Sequence, residues 1–88
     1  MIRPRSNKRA KQEREYLKLR KVYLFTHQVC EVAGCGCDAT EIHHRKGRVG
    51  DLLTDERWFL AVCRAHHIYI ELHPALAKEH GYSLSRLS

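Results

Sequence analysis

No stretch of this sequence stays apolar for the roughly 20 residues that a membrane helix needs. No apolar h-region follows the basic start MIRPRSNKRAKQ, as an export signal would require. Tandem repeats and low-complexity tracts are lacking too, which excludes a repeat array. The expectation from these absences is a cytoplasmic protein in a reducing environment, where clustered cysteines and histidines read as metal ligands rather than disulfides. Length sets a further bound. The 88 residues make at most one domain, and chains this short bury little more than about 60% of their unfolded surface. Such small scaffolds commonly depend on a disulfide or a metal.

Apolar residues make up 43% of the chain, which suits a small globular core, and four cysteines (Cys30, Cys35, Cys37 and Cys63) are available to staple it. Charge is unevenly placed. Residues 1–21 carry nine Lys/Arg against Glu13 and Glu15, a balance of +7, while the other 67 residues carry seven basic and eight acidic groups, a balance of −1. A basic arm on a near-neutral body is an electrostatic footprint of nucleic-acid binding. The plainer reading is a solvated helix whose charges keep the chain soluble.

Residues 1–5 are expected to lie outside any element. Ser6 or Asn7 caps a helix reaching about Thr26, because KRAKQEREYLKLRKVYLF is rich in strong helix formers. Tyr16, Leu19 and Tyr23, with Leu17 and Leu24 beside them, form an apolar stripe for the core. CEVAGCGCD reads as a turn or metal knuckle, ATEIHH as a short strand and RKGRVGD as a loop. WFLAV (58–62) reads as a second strand or the start of a helix. Helix follows from about Arg64 to Leu72, and Pro74 opens another, PALAKEH, with Gly81 where a C-terminal cap belongs. The expected class is α+β, with residues 1–26 a basic arm and helix packed on a zinc-containing body of residues 27–88.

Spacing assigns the zinc. Four residues separate Cys30 from Cys35 across a knuckle. Two residues separate Cys63 from His66, so these lie three positions apart, and helical positions three apart share a face. Cys30, Cys35, Cys63 and His66 make an ordinary tetrahedral Cys3His set for structural Zn²⁺. Cys35 is favoured over Cys37 because Gly36 follows it and eases the turn, with Cys37 the alternative. The 27 residues between Cys35 and Cys63 exceed the usual ribbon spacing of about 15–20, and this interval holds His43 and His44.

His67 sits about 100° round its helix from His66 and so faces away from the zinc set. Glu71 lies four residues on, on the same face, and His73 just past the turn. His43, His44 and His67 with Glu71 or His73 make a second imidazole–carboxylate group, suited to a divalent ion with open positions. Successive strand side chains point to opposite faces, so His43 and His44 share one site only where the strand ends or bends. His27 and His80 match nothing and are expected on the surface.

Knuckle, then EIHH with a basic glycine loop, then WFLAVCRAHHIYIELHP, resembles the HNH endonucleases and their ββα-metal (His-Me finger) site. More narrowly, the pattern is similar to the short zinc-containing HNH proteins encoded by phages. The resemblance covers residues 6 to 86. It implies a DNA-cleaving enzyme in which His43 binds the catalytic ion (Mg²⁺, Mn²⁺ or Ni²⁺), His44 is the general base and His67 a further ion ligand. Cys30, Cys35, Cys63 and His66 would hold a separate structural zinc. Hydrolysis in that family leaves a 5′-phosphate and a 3′-hydroxyl, and its phage members often work beside the large subunit of the packaging terminase. The basic residues Arg45, Lys46 and Arg48 are placed to bind phosphate. The chain departs from the pattern at Trp58, where the family usually has an asparagine that fixes the loop carrying the base.

Overall fold

The computed structural model describes residues 7–85. The expectations for residues 1–5 and for a Ser6 cap lie outside them. The run of strong helix formers becomes helix α1, Asn7–Thr26. Tyr16 is buried, and Leu19, Tyr23 and Leu24 pack partly buried around it. Leu17 departs from the expected stripe and is 64% exposed, because it lies about 100° round the helix from Tyr16. Lys11, Arg14, Lys18 and Lys21 are also exposed, leaving the outer face of α1 cationic.

Strand β1, Glu41–His44, pairs antiparallel with β2, Phe59–Val62, with Glu41 opposite Val62 and His44 opposite Phe59. Side chains alternate across this hairpin. Ile42 and His44 are buried, with Ile42 in a core cluster containing Tyr16, Leu53 and Phe59. Glu41 and His43 face the other way, toward α2, Arg64–Leu72. The hairpin is therefore sandwiched between helices. Residues 45–58 join its strands through two short 3₁₀ turns, Gly50–Thr54 and Glu56–Trp58. The first turn drives Leu53 into the core, where none of it reaches solvent. Leu53→Ala leaves the Leu53 carbonyl in place but empties this position, and should lower unfolding free energy by about 2–5 kcal/mol in chemical denaturation.

A second core lies on the opposite side, built from Cys30, Val62, Ile70 and Ala77. The knuckle forms one wall. Val29 pairs with Asp38 in an isolated antiparallel bridge, and the Cys30 N–H donates to the Cys37 carbonyl at 2.7 Å. Gly36 takes φ +72° at the turn, a left-handed conformation that favours glycine. The knuckle attaches to β2 through Glu31, whose N–H donates to the Ala61 carbonyl at 2.8 Å and whose carboxylate accepts from the Ala61 N–H at 2.6 Å.

Pro74 cannot continue α2 because it lacks an N–H, and instead opens α3, Pro74–Glu79. Gly81, with φ +77°, then reverses the chain. Residues 81–85 run back across the loop after β1, where the Leu84 N–H donates to the Arg45 carbonyl at 2.6 Å. No helix among the described residues is long and apolar enough to cross a membrane. The architecture is a small α+β fold with one two-stranded sheet.

Candidate metal centre and histidine cavity

Cys63 follows the last residue of β2 and occupies the N-cap position of α2; one helical turn on stands His66. The knuckle delivers Cys30 and Cys35 to the same point. The ligand atoms of these four residues all lie within 4.8 Å of one another. Cys63 Sγ is 3.2 Å from His66 Nδ1, Cys30 Sγ is 3.8 Å from the same nitrogen, and Cys35 Sγ is 3.9 Å from Cys63 Sγ. Zinc bonds of about 2.3 Å to sulfur and about 2.0–2.1 Å to nitrogen place tetrahedral ligands about 3.5–3.8 Å apart. The donor set therefore fits one tetrahedral ion such as zinc.

Electrostatics support that use. The His66 backbone N–H at the start of α2 meets the Cys63 sulfur and draws its thiol down to about 7. A thiolate is the form that binds metal. Burial pushes the Cys30 thiol up, so a cation is needed to hold it ionised. Cys37 is exposed and stands outside the four-residue set. Cys37→Ser should leave one zinc per chain, whereas Cys35→Ser should lose it on dialysis; metal analysis of both purified variants checks this.

A cavity of about 230 Å³ opens on the other side of α2, lined by Ile42, His43, His44, Gly47, Arg48, His67 and Glu71. The two adjacent histidines reach it from opposite strand faces. His44 is buried against Tyr16 and Phe59, with ring centroids 5.0 and 5.1 Å away. Its Nε2 lies 3.1 Å from the Leu53 carbonyl. A carbonyl only accepts, so Nε2 carries the proton and Nδ1 keeps its lone pair. Burial is the main cause that pulls His44 down to about 4, leaving the imidazole neutral near pH 7.

His43 and His67 meet edge to face with centroids 5.5 Å apart. Burial first, and His67 second, hold His43 below its ordinary value. His67 is gripped from both sides, with Nδ1 2.7 Å from Glu41 Oε1 and Nε2 3.4 Å from Glu71 Oε1. The bond from His67, with help from Arg64 at 3.1 Å, holds the Glu41 carboxyl below the usual carboxylate range. A carboxylate behind a histidine is the arrangement that orients metal-binding imidazoles. Sequence reasoning missed Glu41. The signal was its position two residues before His43, hence on the same strand face.

The remaining candidates divide. Glu71 lines the cavity, but His73 does not; its ring packs on Tyr69 with centroids 4.4 Å apart. Arg48 lines the cavity and lies over the Tyr16 ring at 5.3 Å. Arg45 turns its guanidinium to the Gly81 carbonyl at 3.1 Å, and Lys46 lies over the Trp58 ring at 4.1 Å. The Trp58 carbonyl accepts from the Arg45 N–H at 2.8 Å, which ties the loop after β1 to the hairpin by backbone. His27 stacks on Tyr23 at 3.9 Å, and His80 is exposed beside Tyr82, lining a cavity with His66. Among the described residues, Cys30, Cys35, Cys63 and His66 alone gather three or more ligand atoms within 4.8 Å of one another. No family model, curated protein or solved structure matches this chain.

Proposed function

We propose that this protein is a metal-dependent endonuclease of the HNH type, hydrolysing DNA phosphodiester bonds. The observation that carries the reading is the single cavity shared by His43, His44, His67, Glu71 and Arg48. It combines a neutral imidazole with a defined tautomer, two further imidazoles, a carboxylate and a guanidinium, which are the groups phosphodiester hydrolysis calls for. His43, His67 and Glu71 are donors that suit a divalent ion, with Glu41 orienting His67. Such an ion supplies Lewis-acid stabilisation of charge on the scissile phosphate.

In this mechanism Arg48 meets the phosphate and orients the strand. His44 Nδ1 takes a proton from the attacking water, whose oxygen bonds to phosphorus as the bond to the 3′ oxygen breaks. That oxygen leaves with a proton from solvent, giving a 5′-phosphate and a 3′-hydroxyl. The Cys3His centre holds the knuckle, the end of β2 and the start of α2 in register, and takes no part in the chemistry. A terminase partner rests on the sequence resemblance alone.

A second reading has its own support, the exposed Lys11, Arg14, Lys18 and Lys21 on α1. It makes the protein a non-catalytic zinc module that binds nucleic acid through this helix. Plasmid nicking separates the two. The nuclease should convert supercoiled plasmid to open circles with Mg²⁺, Mn²⁺ or Ni²⁺, and EDTA should stop it. DNA binding without nicking under any of these ions would leave the zinc module standing.

A further inference from the structure

The C-terminal segment 81–85 has no part in the zinc set or in the chemistry just described, yet it touches the histidine cavity. Ser83 Oγ lies 3.0 Å from His43 Nε2. An imidazole–hydroxyl bond alone is common. What distinguishes this one is how firmly the hydroxyl is presented. Tyr82 and Ser83 both donate backbone N–H groups to the Ala77 carbonyl, at 2.8 and 3.2 Å. The Tyr82 hydroxyl accepts from the Ala33 N–H in the knuckle at 3.2 Å. The Leu84 N–H and the Arg45 guanidinium close the segment onto the loop after β1. Ser83 is thus fixed on both sides by its neighbours' contacts to α3, the knuckle and the histidine loop.

His43 lines the cavity and Ser83 does not, so the hydroxyl holds the ring from outside. The adjoining Tyr82 backbone also bonds this imidazole; with Nε2–H donating to the Ser83 oxygen, Nδ1 keeps its lone pair for a ligand within. The opposite imidazole is arranged as a counterpart. Glu41 takes His67 Nδ1, and Nε2 faces Glu71. Each candidate ion ligand therefore has one nitrogen held by a dedicated partner, and such partners fix tautomer and ring orientation.

We infer that Ser83 is a positioning residue for the divalent-ion site, holding His43 so that its second nitrogen is presented to the ion. The inference rests on the proposal that His43 is an ion ligand. The experiment is Mn²⁺ titration of the full-length, zinc-loaded protein by calorimetry, without DNA. Ser83→Ala should weaken Mn²⁺ binding about 10- to 100-fold, the usual effect of removing such a partner. Ser83→Thr, which keeps the hydroxyl, should restore it. Both variants should keep one zinc per chain and the wild-type Tm, which separates positioning from folding. Equal Mn²⁺ affinity in Ser83→Ala and wild type, or a Thr variant as weak as Ala, would overturn the role of Ser83 and leave the ion site intact. Wild-type protein that binds no Mn²⁺ would overturn the ion site and this role together.

Discussion

Stripping zinc from this protein should unfold it, with loss of most of its helical circular dichroism and recovery when Zn²⁺ is returned. Among the described residues, the second core has only Cys30, Val62, Ile70 and Ala77 as buried members, and one of these is itself a ligand. The four ligands come from two segments far apart in sequence, the knuckle and the junction of β2 with α2. Without an ion the knuckle keeps the Glu31–Ala61 hydrogen bonds to β2, each worth only about 0.5–1.5 kcal/mol net, while three sulfurs and an imidazole within 4.8 Å lose the partner that binds them together. Small zinc sites contribute about 10–16 kcal/mol of apparent binding free energy, against a total stability of about 5–15 kcal/mol for an ordinary domain. Loss of the ion therefore exceeds the margin. The measurement is far-UV circular dichroism beside zinc analysis, before and after a strong chelator. Native helical signal in protein shown to be zinc-free would refute the structural role. Cys63→Ser should reproduce the apo state, because a serine hydroxyl at the N-cap position of α2 does not replace the thiolate ligand.

The elements most legible in the sequence are those whose information is local. Helix α2 could be placed from Arg64 to Leu72 because Pro74 must end it and because Cys63 and His66 share one face. The Cys3His set followed from the same three-residue helical step and from Gly36 at the knuckle turn. Strand β2 was ambiguous because FLAV is too short for periodicity to separate strand from helix. Its antiparallel register with EIHH settles the matter through a partner some 18 residues away. Leu17 was misplaced for a related reason: propensity locates a helix well, but the width of its buried face depends on what packs there.

Contacts at long sequence separation left no local trace. Arg45 reads as one of three loop cations, yet its guanidinium reaches Gly81, 36 residues on. The segment 81–85 has no periodic pattern, and the Ser83 hydroxyl that meets His43 is placed by contacts to residues up to 49 positions away. Glu41 was readable only through strand alternation. That rule also raised the difficulty over His43 and His44, and the hairpin resolves it without a bend. The strand is thin enough that residues on its two faces border one cavity where β1 gives way to the loop.

His44→Gln should remove nicking while leaving the fold nearly untouched, and His44→Ala should damage both. His44 is buried with 6% exposure, filling space between Tyr16 and Phe59 and donating to the Leu53 carbonyl. Alanine empties that space and leaves a buried carbonyl without its donor, a loss of about 1–3 kcal/mol for the unsatisfied group alone. A fall in activity with alanine would therefore not distinguish chemistry from packing. Glutamine retains an N–H donor for the carbonyl and much of the volume, but its amide has no useful basicity. A positioned general base contributes about 10²–10⁴-fold, so Gln should lower the nicking rate by that factor. Its Tm should stay close to wild type, and salt-dependent DNA binding should persist because the cations of α1 are unaltered. Nicking by His44→Gln at the wild-type rate would exclude His44 as the base. The cavity would then need its proton acceptor among His43, His67 and Glu71, the other groups of its lining able to accept one.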